Sequence, residues 1–268
     1  MSLSIFMPIV DDENNLVGAL PRRLIHRMPI HQAVSVFLRR HDGGIYFQKR
    51  SLASRGFPGC YDIVGGHVKG YKEYLETAVD EVASETPVRI DGTRFVQIYP
   101  SGKDAFFRIR TPHNSENKAV FLVTLEPKEE EEFNETVAEI GNIWHSVSLS
   151  VVGNPDVGGA AALASLREHA HKDETRKTTE LGELLQSEFQ KRIESAKRPG
   201  DERLFKMLKM AREVEAYTPM PLPQAIRRYW ENPNEFADGF YSLIDCKRNL
   251  APQAMSYEAD IRKAIEGV

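Results

Sequence analysis

Glu81 and Glu85 lie four positions apart in the segment Asp80-Glu81-Val82-Ala83-Ser84-Glu85. On a helix that spacing puts both carboxylates on one face, about 6 Å apart at Cβ. Two acids so placed repel each other unless a cation or a proton comes between them. Upstream, Gly65-Gly66-His67-Val68 forms a glycine bend that lets backbone approach a ligand closely. Together they describe a loop and helix able to hold a divalent cation. Spacing alone also describes an ordinary solvated helix face.

A helix must carry the two acids, and Glu73 to Thr86 has Leu75, Ala78, Val79 and Val82 at helical intervals. Pro87 fixes its own φ and disfavours helical geometry at Thr86, so the helix should stop there. Phe57 to Val64 is an extended segment delivering the glycine loop. Ile5–Val10, Asp11 to Asn15 and Leu16–Leu20 read as a hairpin, and Ala33–Leu38 and Ile45–Gln48 flank a His41-Asp42-Gly43-Gly44 turn. Further strands are expected at Phe95–Tyr99, Phe106–Arg110, Ala119–Leu125 and Ile140–Val147, the last after an acidic run from Glu126 to Glu135 that reads as a solvated loop. Strands interleaved with helices indicate an α/β sandwich. After Pro155 the apolar spacing predicts helices at Ala160–His171, Thr178–Ala196 and Leu204–Tyr217, with Pro199-Gly200 as a break. His169 and His171, at i and i+2, fall on different helix faces and do not form a joint metal site.

The 268 residues suffice for one large or two ordinary domains. A net charge of -4 and a pI near 6.1 give no electrostatic footprint for nucleic acid or an anionic membrane. Cys60 and Cys246 are too few for a disulfide framework, which points to a reducing cytoplasm. The N-terminus lacks the pattern of a signal peptide, and no apolar run is long enough to span a bilayer.

Residues 66 to 88 resemble a Nudix box, G-x5-E-x7-R-E-U-x-E-E-x-G-U with U apolar, through Gly66, Glu81, Val82, Glu85 and Val88. Lys72, Asp80, Ser84 and Pro87 depart from it, standing where the pattern has Glu, Arg, Glu and Gly. Lys72 and Asp80 have opposite signs at positions that form an ion pair in the family, so they are expected to make that pair with its charges exchanged. Ser84 has no carboxylate, and its loss should weaken a site for Mg2+, a hard cation that prefers oxygen ligands. The phrases VDDENNLVGALPRRLIH, HQAVSVFLRR, QKRSLASRGFPGCYDIVGGHV and VAEIGNIWHSVSL are similar, in that order, to the Nudix subgroup related to isopentenyl-diphosphate isomerase.

The resemblance implies a Nudix-type α/β/α sandwich with a mixed sheet over residues 1–157, plus a helical C-terminal region, 158–268. Within the latter, 158–220 would be an insertion, 221–250 the terminal helices of the fold and 251–268 a tail helix. It implies a hydrolase of diphosphate linkages using Mg2+ or Mn2+, with Glu81 and Glu85 as metal ligands and Glu139 as a further ligand or base. Lys49, Arg50, Gly65, Gly66 and His67 would contact the substrate, a small-molecule diphosphate. Each has a plainer alternative: surface solvation for Lys49 and Arg50, a structural imidazole for His67, a strand-start acid for Glu139. In the isomerase a second metal site uses positions that correspond to His31, His67 and Glu116, with His26 less securely placed. That enzyme also needs a cysteine where this chain has Gly65, which argues against isomerase activity. The other reading is a binding module that keeps the cradle, has lost efficient hydrolysis, and meets a partner through its added helices. A homodimer is the default assembly on base rate.

Overall fold

A computed structural model describes residues 6–21, 24, 29–54, 56–100, 105–111, 114–152, 180–245 and 258–266. The expected helix at 160–171, His26, His169, His171 and Cys246 lie outside the described residues.

The sheet is organised around β3 (His31–Arg39), the most completely buried strand, whose sequence HQAVSVFLR has apolar residues on both faces. One edge of the sheet is the hairpin β1 (Phe6–Val10) and β2 (Leu16–Pro21), closed where Asp11 Oδ1 accepts the Asn15 N–H at 2.8 Å. β4 (Ile45–Arg50) returns beside β3 after a turn in which Gly43 takes φ +94°. β5 (Tyr61–Asp62) pairs with β4, and β6 (Val64–His67) runs antiparallel to β3. β9 (Asn114–Thr124) runs parallel to β3 and carries β7 (Val96–Tyr99) and β8 (Phe107–Thr111) on its other side.

Helices cover both faces. α1 (Tyr74–Glu85) packs Ala78 and Val82 over Val34, Val36, Ala119 and Phe121, and the Glu73 N–H donates to Glu76 Oε2 at 3.1 Å in its first turn. On the opposite face Phe37, Phe47, Val120 and Leu122 meet α5 (Leu222–Glu231), α6 (Asp238–Ile244) and α7 (Glu258–Glu266) through Tyr229, Phe240 and Ile261. The architecture is the expected α/β/α sandwich with a mixed sheet.

Three boundaries differ from expectation. The segment predicted as an acidic loop and a strand at 140–147 is instead one helix, α2 (Pro127–Val152). Ile140, Trp144 and Val147 recur at helical intervals and are buried against α3 (Glu180–Ser195) and α4 (Glu202–Glu213). The acidic run sits in the first turns, where Glu129 and Glu130 complement the helix dipole. Glu130 is not solvated: it is buried and accepts from Arg40 Nε and faces His41 Nδ1, each at 2.7 Å.

The helix predicted over 204–217 stops at Glu213, and β10 (Val214–Met220) continues as a strand along β4 from Val214↔Arg50 to Met220↔Ile45. An unpaired β4 edge satisfies its backbone groups this way, which overrides local helix propensity. The sheet therefore does not respect the expected boundaries at 157/158 and 220/221. β10 belongs to it, and only α3 and α4 of the described part of 158–220 form an added helical layer.

Candidate active site

Backbone alternation sets the geometry of the glycine loop. Val34 pairs with Gly66 and Ala33 with His67, so Gly66 points toward α1 and His67 toward the other face. A Cβ on Gly66 would stand 2.6 Å from the carboxyl carbon of Glu81, and one on Gly65 would stand 2.5 Å from Val34 O. Both glycines are required by close approach.

Glu81 is 5% exposed, and Lys69 Nζ lies 2.7 Å from its Oε1. Glu85, one turn on, is half-buried and faces the Gly65 N–H and Gln48 Nε2, each at 3.4 Å. Burial, and then the charge of Glu81, push the Glu85 carboxyl up to about 8, against the opposing pull of Arg50 and the Gly65 N–H. Asp62, also buried, is pushed to about 6 by burial despite the Arg50 guanidinium at 3.3 Å. Arg50 is held by Gly56 O at 2.9 Å and Ser54 Oγ at 3.0 Å. The result is a cluster of carboxylates in which burial and the charge of Glu81 oppose ionisation of Glu85, and a divalent cation on Glu81 and Glu85 would offset both.

The Lys72–Asp80 ion pair is formed, on the surface, with its charges in the exchanged order. Ser84 is exposed and donates to Glu81 O of its own helix at 3.2 Å. Lys49 lies 5.3 Å over the Tyr61 ring.

Glu139 is a correction. It sits in the middle of α2, not at a strand start, and both its oxygens engage Arg203 of α4 at 2.8 and 2.9 Å. The structure does not bring it to Glu81 and Glu85.

On the opposite sheet face, His31, His67 and Glu116 converge, with one ligand atom from each lying within 4.8 Å of the others. The parallel register His31↔Glu116 and Ala33↔Lys118, together with Ala33↔His67, puts these side chains and that of Lys118 on one face. Nε2 of both histidines is 3.6 Å from Glu116 Oε1, and Lys118 Nζ is 2.8 Å from Glu116 Oε2. Burial alone would raise the Glu116 carboxyl, but the Lys118 ammonium and the two imidazoles hold it well below its ordinary value.

Sequence reasoning passed over Lys69, Asp62 and Lys118. Lys118 was readable, since it follows Glu116 by two in a strand and so shares its face. Lys69 follows β6, and Asp62 owes its place to the pairing of β5 with Gln48 of β4, and no local pattern encodes either.

A family model for the NUDIX domain matches residues 29–162, half of the chain, and the chain belongs to the Nudix family. Nudix hydrolases act on small diphosphate substrates and generally use divalent metal ions. Among solved structures, a protein of Deinococcus radiodurans is 21% identical with a TM-score of 0.33, over 45% of this chain and 72% of that one. A MutT/nudix family protein from Enterococcus faecalis is 17% identical, TM-score 0.29, over 35% of this chain and 36% of that one. A MutT protein from Methanosarcina mazei is 20% identical, TM-score 0.29, over 36% of this chain and 65% of that one. No curated protein sequence gives a significant match. Among the described residues, no helix is long and apolar enough to cross a membrane.

Proposed function

We propose that this protein is a Mg2+- or Mn2+-dependent hydrolase of a diphosphate linkage, in a nucleoside diphosphate-X or related organic diphosphate. One observation carries this reading: Glu81 lies against Gly66 and Glu85 against the Gly65 N–H, one helical turn apart, where burial and the charge of Glu81 make Glu85 resist ionisation.

Glu81 and Glu85 would hold the ion, which would neutralise the diphosphate and lower the pKa of a bound water. Glu85 keeps a proton near neutrality and would release it on loading. Arg50 offers a planar fork suited to phosphate, although Asp62, Gly56 and Ser54 already fix its direction. The Gly65 N–H, aimed at Glu85, keeps that carboxylate turned toward the loop. Lys69 holds Glu81 in the same way. With Glu139 engaged elsewhere, water activation falls to the Glu81, Glu85 and Asp62 cluster. The absence of a carboxylate at Ser84 predicts slow turnover.

A screen of purified protein with Mg2+ or Mn2+ against nucleoside diphosphate sugars, dinucleotides, nucleoside triphosphates and prenyl diphosphates tests the proposal. Turnover abolished by Glu85→Ala is expected, and silence across the panel refutes it. Ser84 favours a second reading, a diphosphate-binding module whose α3 and α4 mediate protein contact. Calorimetry separates the two, because the module predicts ligand affinity that survives Glu85→Ala. The wider placement follows the family and the composition: a cytoplasmic homodimer that binds neither nucleic acid nor membrane.

A further inference from the structure

The three donors His31, His67 and Glu116 have the types and convergence of a metal site, and the isomerase-related subgroup implies one there. His31 Nδ1 lies 3.2 Å from Pro29 O, which turns the buried Nε2 toward Glu116. The charge inventory does not fit an ion. Lys118 is 5% exposed, as is Glu116, so neither charge is screened by bulk water. The ammonium, 2.8 Å from Glu116 Oε2, already neutralises the one carboxylate of the set, so a dication would enter beside a fixed positive charge with no free carboxylate to receive it.

We infer that Lys118 is a resident cation that closes the His31–His67–Glu116 pocket to divalent metal. The physical reason is competition for Glu116. Its Oε1 faces the histidines and its Oε2 faces Lys118, so an ion on the first oxygen would stand a few ångströms from the ammonium on the second. In a low-dielectric interior like charges at that separation repel strongly. This inference does not depend on catalysis at Glu81 and Glu85.

The test is Zn2+ calorimetry and Co2+ absorption on the full chain, comparing wild type, His67→Ala, Lys118→Met and the Lys118→Met/His67→Ala double variant. Wild type and His67→Ala should give the same Zn2+ isotherm and no intense Co2+ band of histidine-containing, four-coordinate character. Lys118→Met should gain one equivalent of Zn2+ at least tenfold tighter, with the Co2+ band, and the double variant should lose both. Oxygen-only binding at Glu81 and Glu85 gives no such band, so failure of that site is distinguishable. A His67-dependent equivalent of Zn2+ in wild type overturns the inference, as does a folded Lys118→Met with no gain. Should Lys118→Met not fold, Lys118→Gln takes its place, and the wild type against His67→Ala comparison still decides whether the pocket is closed.

Discussion

Replacing Glu85 with Gln should make the metal-free protein more stable at alkaline pH. The folded chain keeps the Glu85 proton until about pH 8, whereas an ordinary glutamate releases it near 4.5. A raised acid stabilises the fold fully below the unfolded value and loses that contribution as pH climbs through the folded one. Metal-free wild type should therefore lose stability between pH 4.5 and about 8 and level off above. At 1.36 kcal/mol per pH unit the interval corresponds to an upper bound on the order of 5 kcal/mol. Part of that cost belongs to the rest of the site and remains in the variant, so about 2 kcal/mol should be recovered by Glu85→Gln at pH 8. For a chain of this size that is roughly 4–8 °C in Tm. Thermal unfolding in chelator at half-unit pH steps measures it, and excess Mg2+ should flatten the wild-type slope while leaving the variant unmoved. A variant with the wild-type slope, or one that loses stability at pH 8, refutes the assignment of Glu85 as the strained acid.

Gly66→Ala forces Glu81 aside, because the new Cβ would fall within 2.8 Å of its carboxylate; at least tenfold weaker Mn2+ binding in a folded protein, by calorimetry, is expected. Arg50→Met strands buried Asp62 without its cation and should cost about 3 kcal/mol or more at pH 8. The loss should shrink below pH 5, where Asp62, already raised to about 6, takes up a proton; denaturant titrations at the two pH values check both. The Lys72–Asp80 pair is about half exposed on both sides, so a double-mutant cycle should give a coupling of about 0.2–1 kcal/mol, and a larger value would make the exchanged pair a major structural tie. Phe189→Ala opens a cavity between α2, α3 and α4 and should lower stability by about 3–5 kcal/mol in urea denaturation.

How much was legible in advance differs along the chain. The run Gly65-Gly66 followed by Glu81 and Glu85 could be read because both requirements are local: close approach needs a residue without Cβ, and a helical turn returns to the same face every four positions. The exchanged Lys72–Asp80 pair was readable only through the resemblance, which puts an ion pair at those two positions. Glu139 was not, because its role depends on Arg203, a residue that reaches it only once α4 packs on α2.

The strand at Val214–Met220 shows the same limit. Its sequence tolerates helix, and the open hydrogen-bonding edge of β4 decided otherwise. By itself the sequence determined the glycine bend, the paired acids, the alternating elements and hence an α/β sandwich, since each follows from short-range periodicity and the sterics of single residues; that the sandwich is of the Nudix type came from the resemblance of its motifs. Only the tertiary structure decided which cation meets each buried acid: Arg50 for Asp62, Lys69 for Glu81, and Lys118, itself buried, for Glu116. Electrostatic strength depends on solvent exclusion, and exclusion is a property of distant segments closing over one another.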